Sequence, residues 1–99
     1  MSDHLASPQI VELPQVLDLT AAAPLTEQLL SFRGFDLSVD ASRVTRLGGQ
    51  CLQVLLSCAA TWKADGAKLE LVGESEEFVE ALQQFGITPA MFATRELSP

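Results

Sequence analysis

The chain has 99 residues, with thirteen Asp and Glu against six Lys and Arg, a formal net charge of −7, and 47% hydrophobic residues. That length makes one domain burying roughly 65% of its unfolded surface, so multi-lobed enzymes with deep clefts are excluded. Net acidity opposes contact with phosphate backbones, which removes nucleic acid from the expected partners, and the apolar fraction is too high for a disordered chain.

Residues 1–8 are expected to form a flexible N-terminus, 9–92 a single domain and 93–99 a flexible tail. Met1 to Pro8 lacks the basic and apolar regions of a signal peptide, and no apolar run approaches the roughly 20 residues that cross a bilayer. The expectation is a cytoplasmic protein that does not insert directly into membranes.

Two apolar runs, Ile10, Val11 and Leu13, then Val16, Leu17 and Leu19, flank Glu12, Pro14 and Gln15 and predict a hairpin with Pro14 at an edge or turn. Thr20 to Phe32 predicts the first helix, with Leu25, Leu29 and Phe32 on one face and Pro24 in its first turn. Gly34 ends it. Leu37, Val39 and Ala41 alternate with Asp36, Ser38 and Asp40, a strand with one face on the core.

Gly49 to Asp65 reads as a second helix whose polar positions Gln50, Gln53, Ser57 and Thr61 share one narrow stripe. Apolar residues cover the rest of its circumference, more than one sheet contact requires. It is therefore deeply packed or partly an interface, and it leaves open a homodimer. Lys63, Asp65 and Gly66 mark its end, and Leu69, Leu71 and Val72 the next strand, so a strand-helix-strand crossover predicts two parallel strands.

Ser75 is a good N-cap for a last helix carrying Glu76 and Glu77 in its first turn. Phe78, Val79, Leu82 and Phe85 predict its core stripe, and Gly86 stops it. Met91 and Phe92 suit one more short turn.

Cys51 and Cys58 lie about two helical turns apart at roughly 5.4 Å per turn, too far for a disulfide that needs Cα atoms within about 7 Å. They are expected to be buried, reduced thiols. No metal-ligand spacing, phosphate-cradling loop or nucleophile-base pair is visible, His4 falls in the N-terminal segment, and no cofactor and no enzymatic activity are expected. The one loop of unusual composition runs from Asp40 through Ser42, Arg43, Thr45, Arg46, Gly48 and Gly49 to Cys51. Paired glycines at a helix start fit either a tight strand-to-helix turn or a binding surface. Asp40, at a strand end, suits a structural cap that accepts amide hydrogen bonds from that loop.

The order of these elements resembles a STAS domain, the fold shared by anti-sigma factor antagonists and the cytosolic tails of sulphate transporters. Its landmarks are Leu17-Asp18-Leu19-Thr20, Leu37-Ser38-Val39-Asp40, Leu52-Gln53-Val54-Leu55-Leu56, Ala64-Asp65-Gly66, Leu69-Glu70-Leu71-Val72 and Phe78 through Ile87. The resemblance implies an α/β fold, a mixed central sheet of about four strands with about three to four helices packed on it. It also implies a non-enzymatic switch, in which an Asp-Ser/Thr-x-Gly motif at the start of the second helix receives phosphate from a partner kinase and the added charge breaks the complex. At the matching positions this chain has Gly48, Gly49, Gln50 and Cys51, so the acid and the acceptor hydroxyl are both missing. Ser42 and Thr45 are the hydroxyls left nearby as displaced acceptors.

The chain looks closest to small stand-alone members of that family. The expected function is a protein-interaction module of bacterial signalling that docks a kinase, an anti-sigma factor or a chemotaxis component. The expected contact residues are Ser42, Thr45, Arg46, Gly48, Gly49, Gln50, Gln53 and Ser57. The alternative is an accessory subunit of a phospholipid-transport ABC complex. A third reading, a nucleotide or lipid ligand, rests on the glycine-rich loop beside Arg43 and Arg46.

Overall fold

The computed structural model describes residues 9–92, so the expected flexible ends, 1–8 and 93–99, and His4 with them, lie outside the described residues. In chain order these form β1 (Gln9–Glu12), β2 (Val16–Leu17), a 3₁₀ turn (Leu19–Ala21), α1 (Ala22–Leu30), β3 (Leu37–Asp40) and β4 (Arg46–Leu47). They continue with α2 (Gly49–Ala64), β5 (Leu69–Val72), α3 (Glu76–Gln84) and a second 3₁₀ turn (Pro89–Phe92).

The central sheet has the order β1-β3-β5 and is parallel at both pairings. Its register aligns Val11, Val39 and Leu71 in one row and Ile10, Ser38 and Glu70 in the next. Because successive side chains alternate faces, the first row lies on the core side, where Val11, Leu37, Val39 and Leu69 are buried and Leu71 half-buried. The same core takes Leu25 and Leu29 from α1, Leu52, Leu55 and Trp62 from α2, and Phe78 and Leu82 from α3. The Trp62 indole N–H donates to the Phe35 carbonyl at 2.7 Å, so the largest buried side chain also fixes the loop between α1 and β3. Phe92 is buried, and its 3₁₀ turn packs on α2 and β5.

The α/β class and the parallel strand-helix-strand crossover are as the sequence predicts. The hairpin is not: β1 and β2 do not pair with each other. Beyond Glu12 the Leu13 amide still donates to the Asp40 carbonyl, extending the ladder onto β3, and Pro14 then has no N–H to continue it. The chain crosses instead to a separate two-stranded parallel ladder, β2 with β4. Where a fourth strand was expected, the central sheet of the described residues therefore has three.

Two helical boundaries also differ. Asp18 caps a 3₁₀ turn before α1, and after Leu30 the chain tightens to Phe32 N–H to Leu29 and Arg33 N–H to Leu30 bonds before Gly34, at φ +98°, turns it. Phe85, expected on the core stripe of α3, is 48% exposed. Phe85 is the C-cap of α3, its amide still donating to the Ala81 and Leu82 carbonyls, and its ring packs at the edge of the core against Gly49.

Candidate functional site

Local sequence builds the start of α2. Gly48 is its N-cap, in extended backbone at φ −92° and ψ 166°, and no side chain caps the helix. The Gly48 amide donates to the Leu17 carbonyl at 2.9 Å, and a Cβ on Gly48 would lie 3.4 Å from that same oxygen. A side chain there would touch the β2 backbone at the near edge of ordinary van der Waals contact. Gly49 is exposed and lies under the Phe85 ring, 3.7 Å from where its Cβ would be.

Cys51, one turn in, is fully buried and donates its thiol to the Asp18 carbonyl at 3.3 Å. Burial pushes its pKa up, and the Asp18 charge adds to that, so the thiol stays protonated and unreactive. Burial raises the Cys58 pKa as well. Both cysteines are free, as their spacing predicts. The Asp18 carboxylate accepts from the Thr20 hydroxyl at 2.7 Å and the Thr20 amide at 3.1 Å, which hold it below the usual carboxylate range.

Gln50, Gln53 and Ser57 are exposed along one stripe of α2, with Thr61 half-buried beyond them. They border a groove of about 340 Å³ between α2 and α1, with Thr26 and Leu30 on its α1 side and Val54 and Cys58 also lining it from α2. None of its lining residues is charged, although the chain carries −7. Of the exposed apolar residues, Leu30, 42% exposed, lines the groove itself, and Phe85, 48% exposed, packs its ring against Gly49 at the start of α2. Leu19 belongs to the turn that the Cys51–Asp18 bond holds against α2.

The loop residues divide into two sets. Thr45 and Arg46 are exposed; the Thr45 hydroxyl donates to the Gln15 carbonyl at 3.2 Å, and both amides donate to the same oxygen. Ser42 belongs instead with Asp40, whose carboxylate accepts the Ser42 amide at 2.9 Å. That bond, with the Ser42 hydroxyl adding, holds the Asp40 carboxyl below its ordinary value. Arg43 reaches Glu12 at 3.8 Å, a solvent-exposed pair. Among the described residues no group of His, Cys, Asp and Glu is placed to hold a metal ion, and no helix is long and apolar enough to cross a membrane.

This frame of parallel strands and helices, with a glycine-capped α2, is matched over residues 2–92 by the family model described as "Mlab, STAS domain". The chain belongs to the STAS family. A solved structure, described as the crystal structure of a sulfate transporter family protein from Wolinella succinogenes, shares the fold with a TM-score of 0.67. The two are 22% identical, over 84% of this chain and 70% of that one. No curated protein matches the chain. STAS domains are in general non-enzymatic interaction modules, and the first turn of α2 in this one offers neither a carboxylate nor a hydroxyl from Gly48 to Cys51.

Sequence periodicity located the polar stripe of α2 but missed its apolar surroundings. Leu30 carried a signal, since it sits about 100° round the helix from the core position Leu29. Leu19 and Phe85 carried none, because each belongs to an apolar run or stripe and is exposed only in the folded chain.

Proposed function

We propose that this STAS domain is a docking module of bacterial signalling, working in the cytoplasm without chemistry of its own. In this reading it holds a kinase, an anti-sigma factor or a chemotaxis component through the Ser42 to Ser57 loop and helix. The observation that carries it is the first half of α2, where Gln50 and Gln53 stand exposed and uncharged on one groove with Leu30 and Val54. An uncharged groove that mixes amide and apolar groups suits a protein partner, because amides supply directional hydrogen bonds, apolar side chains supply area, and interface centres are poor in charge. With no acceptor hydroxyl at Gly48 to Cys51, docking is constitutive rather than switched there by phosphate. Both displaced acceptors already have hydroxyl partners, Thr45 the Gln15 carbonyl and Ser42 the Asp40 carboxylate.

Affinity capture from native cells, comparing wild type with Gln50→Arg plus Gln53→Glu and reading partners and phosphosites by mass spectrometry, tests this. Loss of a kinase or chemoreceptor from the doubly substituted protein, with no phosphate on either form, is expected. A second reading keeps the surface and changes the partner to the ATPase of a phospholipid-transport ABC complex, resting on the likeness of small stand-alone STAS proteins to its accessory subunit. Recovery of an ATPase with a permease would favour it.

A further inference from the structure

Ser75 does more than begin a helix. Its hydroxyl accepts from the Phe78 amide at 3.0 Å, the capping bond that its position predicts. The same hydroxyl donates its proton to the Val44 carbonyl at 2.6 Å, and the Ser75 amide donates to the Ala41 carbonyl at 3.2 Å. Capping requires neither of these two bonds. Gly73, at φ +63°, brings the turn close enough to make them: a Cβ there would lie 3.3 Å from Asp40 Oδ1 and 3.4 Å from Ser42 Cβ. Val44 is fully buried, and the next residues are Thr45, β4 and the N-cap of α2. The loop is thus held on two sides, by Ser75 at Val44 and by the Gln15 and Leu17 carbonyls of the β2 segment at Thr45, Arg46 and Gly48.

We infer that Ser75 is a positioning residue for the docking surface: its hydroxyl holds the 41–48 loop against α3, so that Gln50 and Gln53 meet a partner protein in one fixed arrangement. This rests on the docking reading above. A helix cap alone is the competing explanation, and side-chain chemistry separates the two. Threonine can accept and donate as serine does, aspartate can cap but has no proton for the Val44 carbonyl, and alanine can do neither.

The test compares Ser75→Thr, Ser75→Asp and Ser75→Ala in the full chain. Amide hydrogen exchange is read at Phe78 for the cap and at Thr45, Arg46 and Gly48 for the loop, and recovery of the wild-type partners is read by the capture described above. Ser75→Asp is expected to exchange as wild type at Phe78 but about fivefold faster at the loop amides, the scale of one lost hydrogen bond. Partner recovery should fall by a similar factor, and Ser75→Thr should restore both. Loop exchange unchanged in Ser75→Asp would overturn the inference and leave Ser75 a cap only. Faster loop exchange with undiminished partner recovery would overturn it equally, by uncoupling the loop from docking. The docking reading fails by a different result: wild-type partners that are indifferent to Gln50→Arg with Gln53→Glu.

Discussion

The Cys51 thiol donates to the main-chain carbonyl of Asp18 at 3.3 Å, so the position closing the altered motif ties α2 to the turn before α1. A buried donor with its acceptor satisfied has a structural part to play, and both cysteine pKa values are raised by burial. Alkylation near neutral pH is therefore expected to leave Cys51 and Cys58 unmodified in the native protein and to label both in denaturant, read by intact mass. Rapid native labelling of Cys51 would contradict this packing.

Trp62 is the sole tryptophan, fully buried, with its indole N–H on the Phe35 carbonyl at 2.7 Å. Phenylalanine fills most of that volume but leaves the carbonyl without its donor, so Trp62→Phe is expected to cost about 2–4 kcal/mol from cavity and hydrogen bond together. Urea unfolding followed by circular dichroism measures it. A change well under about 1 kcal/mol would mean that the contact is not maintained in solution.

The second 3₁₀ turn should matter to the whole domain, because it buries Phe92 against α2 and β5. Phe92→Ala is expected to destabilise by about 3–4 kcal/mol, the usual cost of emptying an aromatic site. Met91, 55% exposed next door, should tolerate alanine with a change of less than about 0.5 kcal/mol. Equal midpoints for the two variants would show that the turn does not close the core.

Asp18, Asp40 and Asp65 are each held below 3.8, by the Thr20 hydroxyl, the Ser42 amide and the Arg33 guanidinium respectively. A carboxylate depressed on folding contributes stability that is complete above its unfolded pKa and is lost as pH falls through the folded one. The urea midpoint should accordingly hold from neutral pH down to about 4 and decline below it. None of the three is buried, so solvent screening keeps each contribution small, and Asp40→Asn should soften the decline without removing it. A decline beginning near pH 6 would point to other groups.

Much of this fold was legible because local chemistry and long-range packing agree. Leu37-Ser38-Val39-Asp40 alternates and forms a strand, Ser75 caps α3, and the polar stripe of α2 faces solvent. The failures occur where one residue redirects the chain. Pro14 withdraws an amide, which sends β2 to pair with β4 through a contact about 30 residues away that periodicity does not register. Leu19 and Phe85 are exposed although their apolar runs predict a core face. Ser75 showed its cap in the sequence but not its bond to Val44, which arises only when β5 lies parallel to β3. For the candidate site, the polar half was written in helical spacing and the apolar half was set by tertiary structure.

Site-specific photocrosslinking in native cells bears most directly on docking at α2. A photoreactive residue replaces Gln53 on the proposed surface in one strain and Glu70, exposed in a different row of the central sheet, in another. Docking through α2 predicts one dominant crosslinked protein from position 53, abolished by Gln50→Arg, and none from position 70. The same protein captured from position 70 and not from 53 would place the partner elsewhere and contradict the proposed surface.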